Sequence, residues 1–270
     1  MRLISRRSFI LGGSALLLYS VYYSTTAIAV KQYNVWVKNL PNSFNKFTIL
    51  HLSDLHSKLY GAKQKELLAL INRYHYDMTA ITGDLDSKSN PNAEPGIHLV
   101  EGLLSKPVYF VPGNHDWATG YYFKDTIRAM GVKILENAEQ QFFKNGESIW
   151  IVGVDDPYSG RADLTSALAH VNSQSPRILL AHAPEIYSKA VQEQIDLVLV
   201  GHTHGGQFRI PFVGAVVVPG QGFFPKLDYG LYYSDQTTMV INAGLGESVL
   251  PIRFNSRPEI VFVTLICADN

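Results

Sequence analysis

The chain has 270 residues, 46% of them hydrophobic and 17% charged, which fits one ordinary globular domain. Lysine and arginine total 23, and aspartate and glutamate also total 23, so the chain lacks the basic excess of proteins that bind nucleic acids broadly. A single cysteine, Cys267, excludes both a disulfide framework and a metal site made of several thiolates.

The first 29 residues have the pattern of an export signal. Their charged residues are Arg2, Arg6 and Arg7, and an uncharged stretch of 23 residues follows over 8–30. Adjacent arginines before an apolar run are typical of signals that the twin-arginine export machinery recognises. Residues 27–29 fit the small-x-small site of signal peptidase, although the uncharged stretch is also long enough for an uncleaved membrane anchor. In both cases we expect export across the cytoplasmic membrane, to the periplasm or to the outer face of that membrane.

Strands and helices alternate through the rest of the chain. Residues 30–45 are predicted to be a polar connector, and residues 46–270 a single domain. In chain order, the hydrophobic pattern predicts a strand, a helix, a strand, a helix, a strand and a helix at residues 47–52, 64–73, 78–82, 93–104, 108–111 and 122–130. A hairpin with a tight turn at Asn145-Gly146 follows. The later elements are a helix at 186–194 and strands at 177–180, 197–200, 239–242 and 260–265. This order predicts an α/β domain with a parallel sheet core and a β-rich second half.

Polar side chains follow five of the buried strands directly. They are Asp54 with His56, Asp84, Asn114, His182, and His202 with His204. The carboxyl ends of strands form the edge at which open α/β sheets bind ligands. Asp54, Asp84 and Asn114 are each 30 residues apart, about one βαβ unit, so neighbouring strands are expected to bring them together.

These residue types predict a metal site. In an extended segment, the side chains of Asp54 and His56 leave the same face and can hold one ion, and the pair His202 and His204 repeats that spacing. Carboxylate, imidazole and amide ligands without a thiolate favour Mn, Fe or Zn. Seven ligands exceed the four of a tetrahedral ion, so we expect a pair of ions that shares a bridging carboxylate. Each motif alone has an ordinary explanation as a turn or a core residue, and only their joint occurrence predicts the site.

The same motifs carry a resemblance to a known family. Asp54-x-His56, Gly83-Asp84, Gly113-Asn114-His115-Asp116, His182 and Gly201-His202-Thr203-His204 stand in the order found in calcineurin-like metallophosphoesterases. The sequence resembles that family over residues 46–206. The resemblance implies a four-layer αββα sandwich with mixed sheets and an active site at the carboxyl ends of strands. Gly205-Gly206-Gln207, Tyr229-Gly230-Leu231-Tyr232 and Pro251-x-Arg253 also resemble a bacterial subgroup of exported or membrane-associated phosphodiesterases.

The resemblance also implies roles for individual residues. One metal ion would be held by Asp54, His56, Asp84 and His204. The other would be held by Asp84, Asn114, His182 and His202, so that Asp84 is the bridge between two divalent or trivalent ions. His115 would not bind metal but would be a general acid toward the leaving oxygen or a hydrogen-bond donor to the phosphoryl group, and Asp116 would orient His115. Asp86 is expected to be solvated.

Together these features predict a metal-dependent hydrolase of phosphate esters. We expect a phosphodiesterase or a pyrophosphate-cleaving enzyme that uses metal-activated hydroxide on a small-molecule or lipid phosphoester. A non-catalytic metal-binding scaffold and a nucleotide or nucleic-acid phosphodiesterase stay open as alternatives, although the balanced charge argues against nucleic acid as a partner. Apolar side chains after the last metal motif are expected either to pack in a core or to form a lip for lipid-linked substrates at a membrane surface: Phe208, Ile210, Phe212, Val213, Phe223 and Phe224.

Overall fold

The structure is a computed structural model that describes residues 6–248 and 250–268, so Arg2 lies outside the described residues. The helices are α1 (Arg6–Thr26), α2 (Lys65–Ile71), α3 (Glu94–Leu103), α4 (Asn114–Ala118), α5 (Lys124–Ala129), α6 (Leu164–Ala167) and α7 (Tyr187–Gln192). The strands are β1 (Ala29–Val37), β2 (Thr48–Leu52), β3 (Met78–Thr82), β4 (Val108–Val111), β5 (Lys133–Ile134), β6 (Ala138–Lys144), β7 (Glu147–Gly153), β8 (Arg177–Leu180), β9 (Leu197–Val200), β10 (Arg209–Ile210), β11 (Gly214–Ala215), β12 (Val217–Val218), β13 (Gly222–Phe223), β14 (Gly230–Ser234), β15 (Thr237–Ile241) and β16 (Glu259–Cys267).

Two mixed sheets of six strands form the centre of the domain. The strand order is β1-β16-β2-β3-β4-β5 in the first sheet and β14-β15-β9-β8-β7-β6 in the second. In the first sheet β2 to β5 run parallel, and in the second β15, β9, β8 and β7 run parallel. The two parallel sets therefore each present an edge at which all carboxyl ends meet. The short strands β10 to β13 form two separate antiparallel pairs.

Alternating side chains along the strands build the layers. Ile49 on β2 lies between the two sheets, whereas its neighbour Leu50 faces the helices on the outside. Leu199 and Val198 on β9 divide in the same way between the central core and the outer face of the second sheet. Successive strand residues point to opposite faces, so each sheet buries one set against its partner and the other against helices. The structure thus confirms the four-layer αββα sandwich.

Residues 30–37 differ from the sequence-based prediction. The prediction of a polar connector over residues 30–45 is wrong there, because β1 pairs in parallel with β16 along its full length. Val35 and Val37 are buried, whereas Lys31 and Asn34 are not. Trp36, between the two buried valines, is 61% exposed, so an apolar residue stands where alternation would require a polar one, and the pattern of a half-buried strand is lost.

The predicted hairpin is confirmed as the connection between β6 and β7. Its turn residues Asn145 and Gly146 have φ angles of 51° and 81°. Both lie in the left-handed region that the tight two-residue hairpin turn requires, which is why Asn-Gly is its strongest sequence signal.

The end of α1 contacts the domain. The backbone N–H of Arg253 donates to Thr25 Oγ1 at 2.9 Å, and the side chain of Arg257 donates to the carbonyl oxygens of Ala27 and Ile28. The last residues of the predicted leader are therefore hydrogen-bonded to the loop before β16. Among the helices of the described residues, none combines the length and the apolar character needed to cross a membrane.

Candidate metal centre

The carboxyl ends of five strands, from both sheets, meet at one edge of the sandwich. Strands β2, β3 and β4 of the first sheet lead to Asp54, Asp84 and Asn114, and strands β8 and β9 of the second lead to His182 and His202. The structure brings all seven predicted ligands together, and six of them are buried, with Asn114 half-buried.

One group consists of Asp54, His56 and His204, whose ligand atoms could hold a metal ion. The Nε2 atoms of His56 and His204 are 3.1 Å apart. Asp54 Oδ1 lies 3.7 Å from the first of these nitrogens and 3.6 Å from the second. Three ligand atoms therefore converge on one point.

A second group consists of Asp84, His182 and His202. His182 Nε2 is 3.0 Å from His202 Nδ1, 3.3 Å from Asp84 Oδ2 and 3.1 Å from Asn114 Oδ1. The amide oxygen of Asn114 thus completes a set of four ligand atoms.

The carboxylate of Asp84 lies between the two groups. Its Oδ2 is 3.6 Å from His56 Nε2 in the first group and 3.3 Å from His182 Nε2 in the second. Its Oδ1 accepts a hydrogen bond of 2.8 Å from the backbone N–H of His115, which fixes the carboxylate in this orientation.

The chemistry of the donor set fits metal ions. Asp54 Oδ1 is buried and has no hydrogen-bond partner, although burying a carboxylate oxygen without a partner is costly. Two pairs of imidazole nitrogens, one in each group, face one another at 3.0–3.1 Å. Only one proton fits between two such nitrogens, so at most one of each pair can donate a hydrogen bond to the other. A cation among these atoms would satisfy the oxygen and the facing nitrogens together.

Burial and the opposing charges set the protonation states. Burial alone would raise the pKa of Asp84 and lower that of His182. The attraction between the carboxylate and the imidazole outweighs burial, so the pKa of Asp84 is lowered and that of His182 is raised. Burial lowers the pKa of His202 to about 4 and that of His204 well below its ordinary value. Metal ions bind ionised carboxylates and neutral imidazoles, so Asp84, His202 and His204 already have the binding form, whereas His182 would release a proton when an ion binds.

Five of the seven predicted ligands have left-handed backbone conformations. The φ angles are 50° at Asp54, 49° at His56, 54° at Asp84, 69° at His202 and 51° at His204. The expectation that Asp54 and His56 lie in an extended segment is therefore wrong, and the same holds for His202 and His204. Their side chains converge because the chain turns sharply after each strand.

Two glycines of the motifs allow the close approach of these turns. A Cβ atom at Gly113 would lie 2.2 Å from Asp84 Oδ1, and one at Gly201 would lie 2.2 Å from Asp54 Oδ2. Both distances are shorter than any tolerable contact, so glycine is needed where the backbone passes a ligand carboxylate.

His115 lies beside the ligands, in a position to donate a hydrogen bond. Its ring centroid is 4.4 Å from that of His56. The backbone N–H of Lys88 donates to His115 Nδ1 at 3.3 Å, which places the proton of the neutral ring on Nε2. Burial lowers the pKa of His115 to about 4, although Asp84 opposes the shift. The structure also places a ligand atom of His115 close enough to His56 and Asp84 to share a metal ion.

Asp116 has a different role from the predicted one. Its Oδ2 accepts hydrogen bonds from the backbone N–H groups of Asp84 and Gly113, and its Oδ1 accepts one from Asp86. Asp116 therefore holds the turn after β3 against the start of α4, and it is the backbone of Lys88 that orients His115. Burial and the charge of Asp84 raise the pKa of Asp116 to about 7, while the backbone donors oppose the shift.

Asp86 is also placed differently from the prediction. The sequence predicts a solvated side chain, yet Asp86 is fully buried. Its Oδ1 accepts hydrogen bonds from Ser57 Oγ and from the backbone N–H groups of Ser87 and Asn92. The carboxylate of Asp86 thus holds the turn that follows Asp84 in place.

Three further residues of the site were not predicted to act there. The ring of Tyr158 lies 4.5 Å from that of His202, and Asp156 holds the turn by accepting the backbone N–H of Tyr158. The sequence contained a signal for Asp156, because β7, like β2 and β3, is followed by acidic residues. The buried guanidinium of Arg253 donates to the carbonyl oxygens of His204 and Ala243 and so supports the last ligand from behind.

Comparison with known proteins agrees with this geometry. Residues 47–206 match the calcineurin-like phosphoesterase family. The chain is 31% identical over 258 residues to the metallophosphoesterase YkuE of Bacillus subtilis (strain 168), which covers 92% of this chain and 88% of that protein. It is 27% identical over 238 residues to the phosphodiesterase YaeI of Escherichia coli (strain K12), which covers 82% of each.

The αββα sandwich and its cluster of Asp, Asn and His side chains define a metallophosphoesterase. The chain belongs to the calcineurin-like phosphoesterase family, as the resemblance predicted, and is a hydrolase of phosphoric esters.

Proposed function

We propose that the protein is a binuclear metallohydrolase that cleaves phosphodiesters or pyrophosphates. The observation that carries the proposal is the position of Asp84 Oδ2, within 3.6 Å of a ligand nitrogen of each group. A carboxylate in that place can bridge two ions, which is the arrangement that two-metal phosphoesterases need.

The side chains divide naturally between two ions. Asp54, His56 and His204 would hold the first ion, Asn114, His182 and His202 the second, and Asp84 both. Ligands of this mixed oxygen and nitrogen kind fit Mn, Fe or Zn. Such ions supply an activated water as the nucleophile and neutralise the charge that develops on the phosphoryl oxygens.

His115 would donate a hydrogen bond to the phosphoryl group or the leaving oxygen. The tautomer favoured by the Lys88 N–H has its proton on Nε2, which is the donor this role requires. Asp116 would act through the backbone, because its contacts keep Asp84 and the turn at Gly113 in place.

We also propose that the protein acts outside the cytoplasm, exported by the twin-arginine machinery and close to a membrane surface. Arg6 and Arg7 before the uncharged stretch support this proposal. Replacing both arginines with lysine should keep the protein in the cytoplasm when cell fractions are compared. Normal export of that variant would contradict the proposal.

The catalytic proposal is tested with the full chain after chelation and reloading with Mn, Fe or Zn. We expect elemental analysis to find two ions per chain, and the loaded protein to hydrolyse a bis-aryl phosphodiester faster than an aryl monoester. A chain that binds two ions and hydrolyses neither these esters nor a nucleoside-diphospho-lipid under any metal would be the non-catalytic scaffold instead.

A further inference from the structure

An apolar cavity of about 370 Å³ adjoins the candidate metal centre. Its apolar lining consists of Phe208, Val217, Val218, Pro219 and Leu250, and the metal centre contributes Thr203 and His204. The volume falls within the range of about 300–1,000 Å³ that is usual for small-molecule sites. The cavity therefore begins at a predicted metal ligand and is large enough to hold part of a substrate.

The apolar surface continues outward from this cavity. Val217 is 45% exposed and Leu250 is 52% exposed, and Phe223, the strand partner of Val217, is 76% exposed. The sequence left two expectations for the apolar residues of this segment, core packing or an apolar lip. Phe223 does not pack in the core. Large exposed apolar side chains next to one another mark a surface that contacts an apolar ligand or partner.

The wall of the cavity is fixed to the metal motif. Gln207, three residues after His204, donates through its amide to the carbonyl oxygens of Leu250 and Ile252. Its Oε1 accepts the backbone N–H of Ser248 at 3.4 Å. These contacts fix the segment of Ser248 and Leu250, which forms one side of the cavity, relative to His204. The cavity is therefore part of the same site as the metal ligands.

We infer that this cavity binds the aliphatic part of an amphiphilic phosphodiester while its phosphoryl group lies at the metal centre. The inference rests on the proposed phosphodiesterase activity and names the substrate class. The surface that the described residues give the cavity is mostly apolar, with Thr203, Gln207 and Ser248 as its few polar side chains besides His204, so it suits a hydrocarbon chain better than a sugar or a nucleobase. Its contact with His204 favours a chain attached to the reacting phosphate over a separate apolar partner.

Two mixed phosphodiesters test the inference, p-nitrophenyl octyl phosphate and p-nitrophenyl methyl phosphate, each below the concentration at which it aggregates. In both, water adds to phosphorus, the P–O bond to the aryl group breaks, and p-nitrophenolate leaves with an alkyl phosphate as the second product. Full burial of one methylene favours binding by about fourfold, so partial cover of seven further carbons should raise kcat/KM by about tenfold or more for the octyl ester.

Matched variants separate the cavity from the rest of the apolar surface. Val217→Glu places a charge in the cavity lining, whereas Val213→Glu places it on a valine that is 58% exposed and does not line the cavity. The readout is the ratio of kcat/KM for the octyl and methyl esters within each Mn-loaded protein, so general losses of activity cancel. We expect the ratio to fall toward one in Val217→Glu and to stay unchanged in Val213→Glu. Leu250→Glu repeats the test from another segment if Val217→Glu does not fold.

The outcomes separate this inference from the proposed function. Equal kcat/KM for the two esters in the unaltered protein overturns the inference and leaves the phosphodiesterase proposal intact. An equal fall of the ratio in Val213→Glu also overturns it, because the preference would then come from adsorption to the whole apolar surface. Hydrolysis of neither ester by the metal-loaded protein overturns the proposed phosphodiesterase activity and this inference with it.

Discussion

Left-handed backbone at ligand positions is the most unusual local feature of the protein. A non-glycine residue in a sparsely populated region of φ and ψ costs of order 1–3 kcal/mol, and Asp54, His56, Asp84, His202 and His204 all have positive φ. Such conformations persist only where the surroundings determine them, and at Asp84 the contacts of Asp116 and Asp86 with the turn after β3 do so. The strain lies at the same residues whose side chains converge, which is typical of a preorganised site.

Gly113→Ala should damage the site through one added methyl group. The new Cβ would lie 2.2 Å from Asp84 Oδ1, so the carboxylate of Asp84 would have to move. We expect Mn binding to weaken by at least about tenfold, as happens when a group that supports metal ligands is disturbed. Titration calorimetry measures the affinity, and Gly13→Ala is the control because its Cβ would meet no atom within 4 Å. Equal Mn affinity in the two variants would contradict this role of Gly113.

His115→Ala should separate catalysis from metal binding. If His115 donates a hydrogen bond during the reaction, turnover of a phosphodiester should fall by about 100-fold or more, in the range usual for a proton donor. The metal content, measured by elemental analysis, should stay at that of the unaltered protein. Exposed His75 offers the control His75→Ala, which should change neither quantity. Loss of one ion in His115→Ala would instead make His115 a ligand, as its distance to His56 and Asp84 allows.

At the scale of elements, local sequence predicted the strands that carry ligands. Strands such as β3 and β9 are short, mostly apolar runs followed directly by Gly-Asp or Gly-His, and this pattern does not depend on the rest of the fold. The backbone conformation just after each strand could not be predicted in the same way. Asn114 starts the short helix α4 and does not occupy a simple turn, because Asp116 accepts backbone N–H groups from the neighbouring strand end. Such long-range hydrogen bonds leave no periodic trace in the sequence.

Strand β16 supplies a prediction about stability. Glu259, its first residue, is buried, and it accepts hydrogen bonds from Tyr229 Oη and the backbone N–H of Ala243. Burial raises the pKa of Glu259 to about 7. A carboxyl group with a raised folded pKa stabilises the protein below its unfolded value near 4.5, and this contribution is lost as pH rises to 7 and above.

Glu259→Gln should remove that dependence, because the amide stays neutral and can keep both contacts. At each pH, the free energy of unfolding of the variant is compared with that of the unaltered protein. We expect the variant's advantage to be about 2 kcal/mol larger at pH 8 than at pH 5. Urea unfolding of the metal-free proteins at the two pH values measures the difference. The same difference between variant and unaltered protein at both pH values would mean that Glu259 does not titrate in this range.

At the scale of the whole molecule, two sheets must pack together before the site exists. Asp54, Asp84 and Asn114 come from the first sheet and His182, His202 and His204 from the second. The residues alone predicted a shared metal site at the strand ends, and the family resemblance added the αββα sandwich, whose two sheets together supply those ends. The strand β1 was missed for a related reason, since its partner β16 lies more than 200 residues away in the chain.

Metal binding should therefore stabilise the packing of the two sheets. Ligands that bind only the folded state at 100 times their Kd add about 2.7 kcal/mol to stability. At about 2–4 °C per kcal/mol for a chain of this size, chelation should lower Tm by roughly 5–10 °C, and added Mn should restore it. Calorimetry with and without chelator measures the shift. Asp54→Asn is the control, and a chelator effect of the same size in that variant would contradict a role for the first group of ligands.

The most direct test of the proposed binuclear centre is anomalous X-ray scattering from crystals of the protein grown with Mn. We expect two peaks about 3.5–4 Å apart, one beside Asp54, His56 and His204 and the other beside Asn114, His182 and His202, with Asp84 contacting both. A single peak at saturating Mn, or two peaks that do not share Asp84, would contradict a binuclear centre bridged by Asp84.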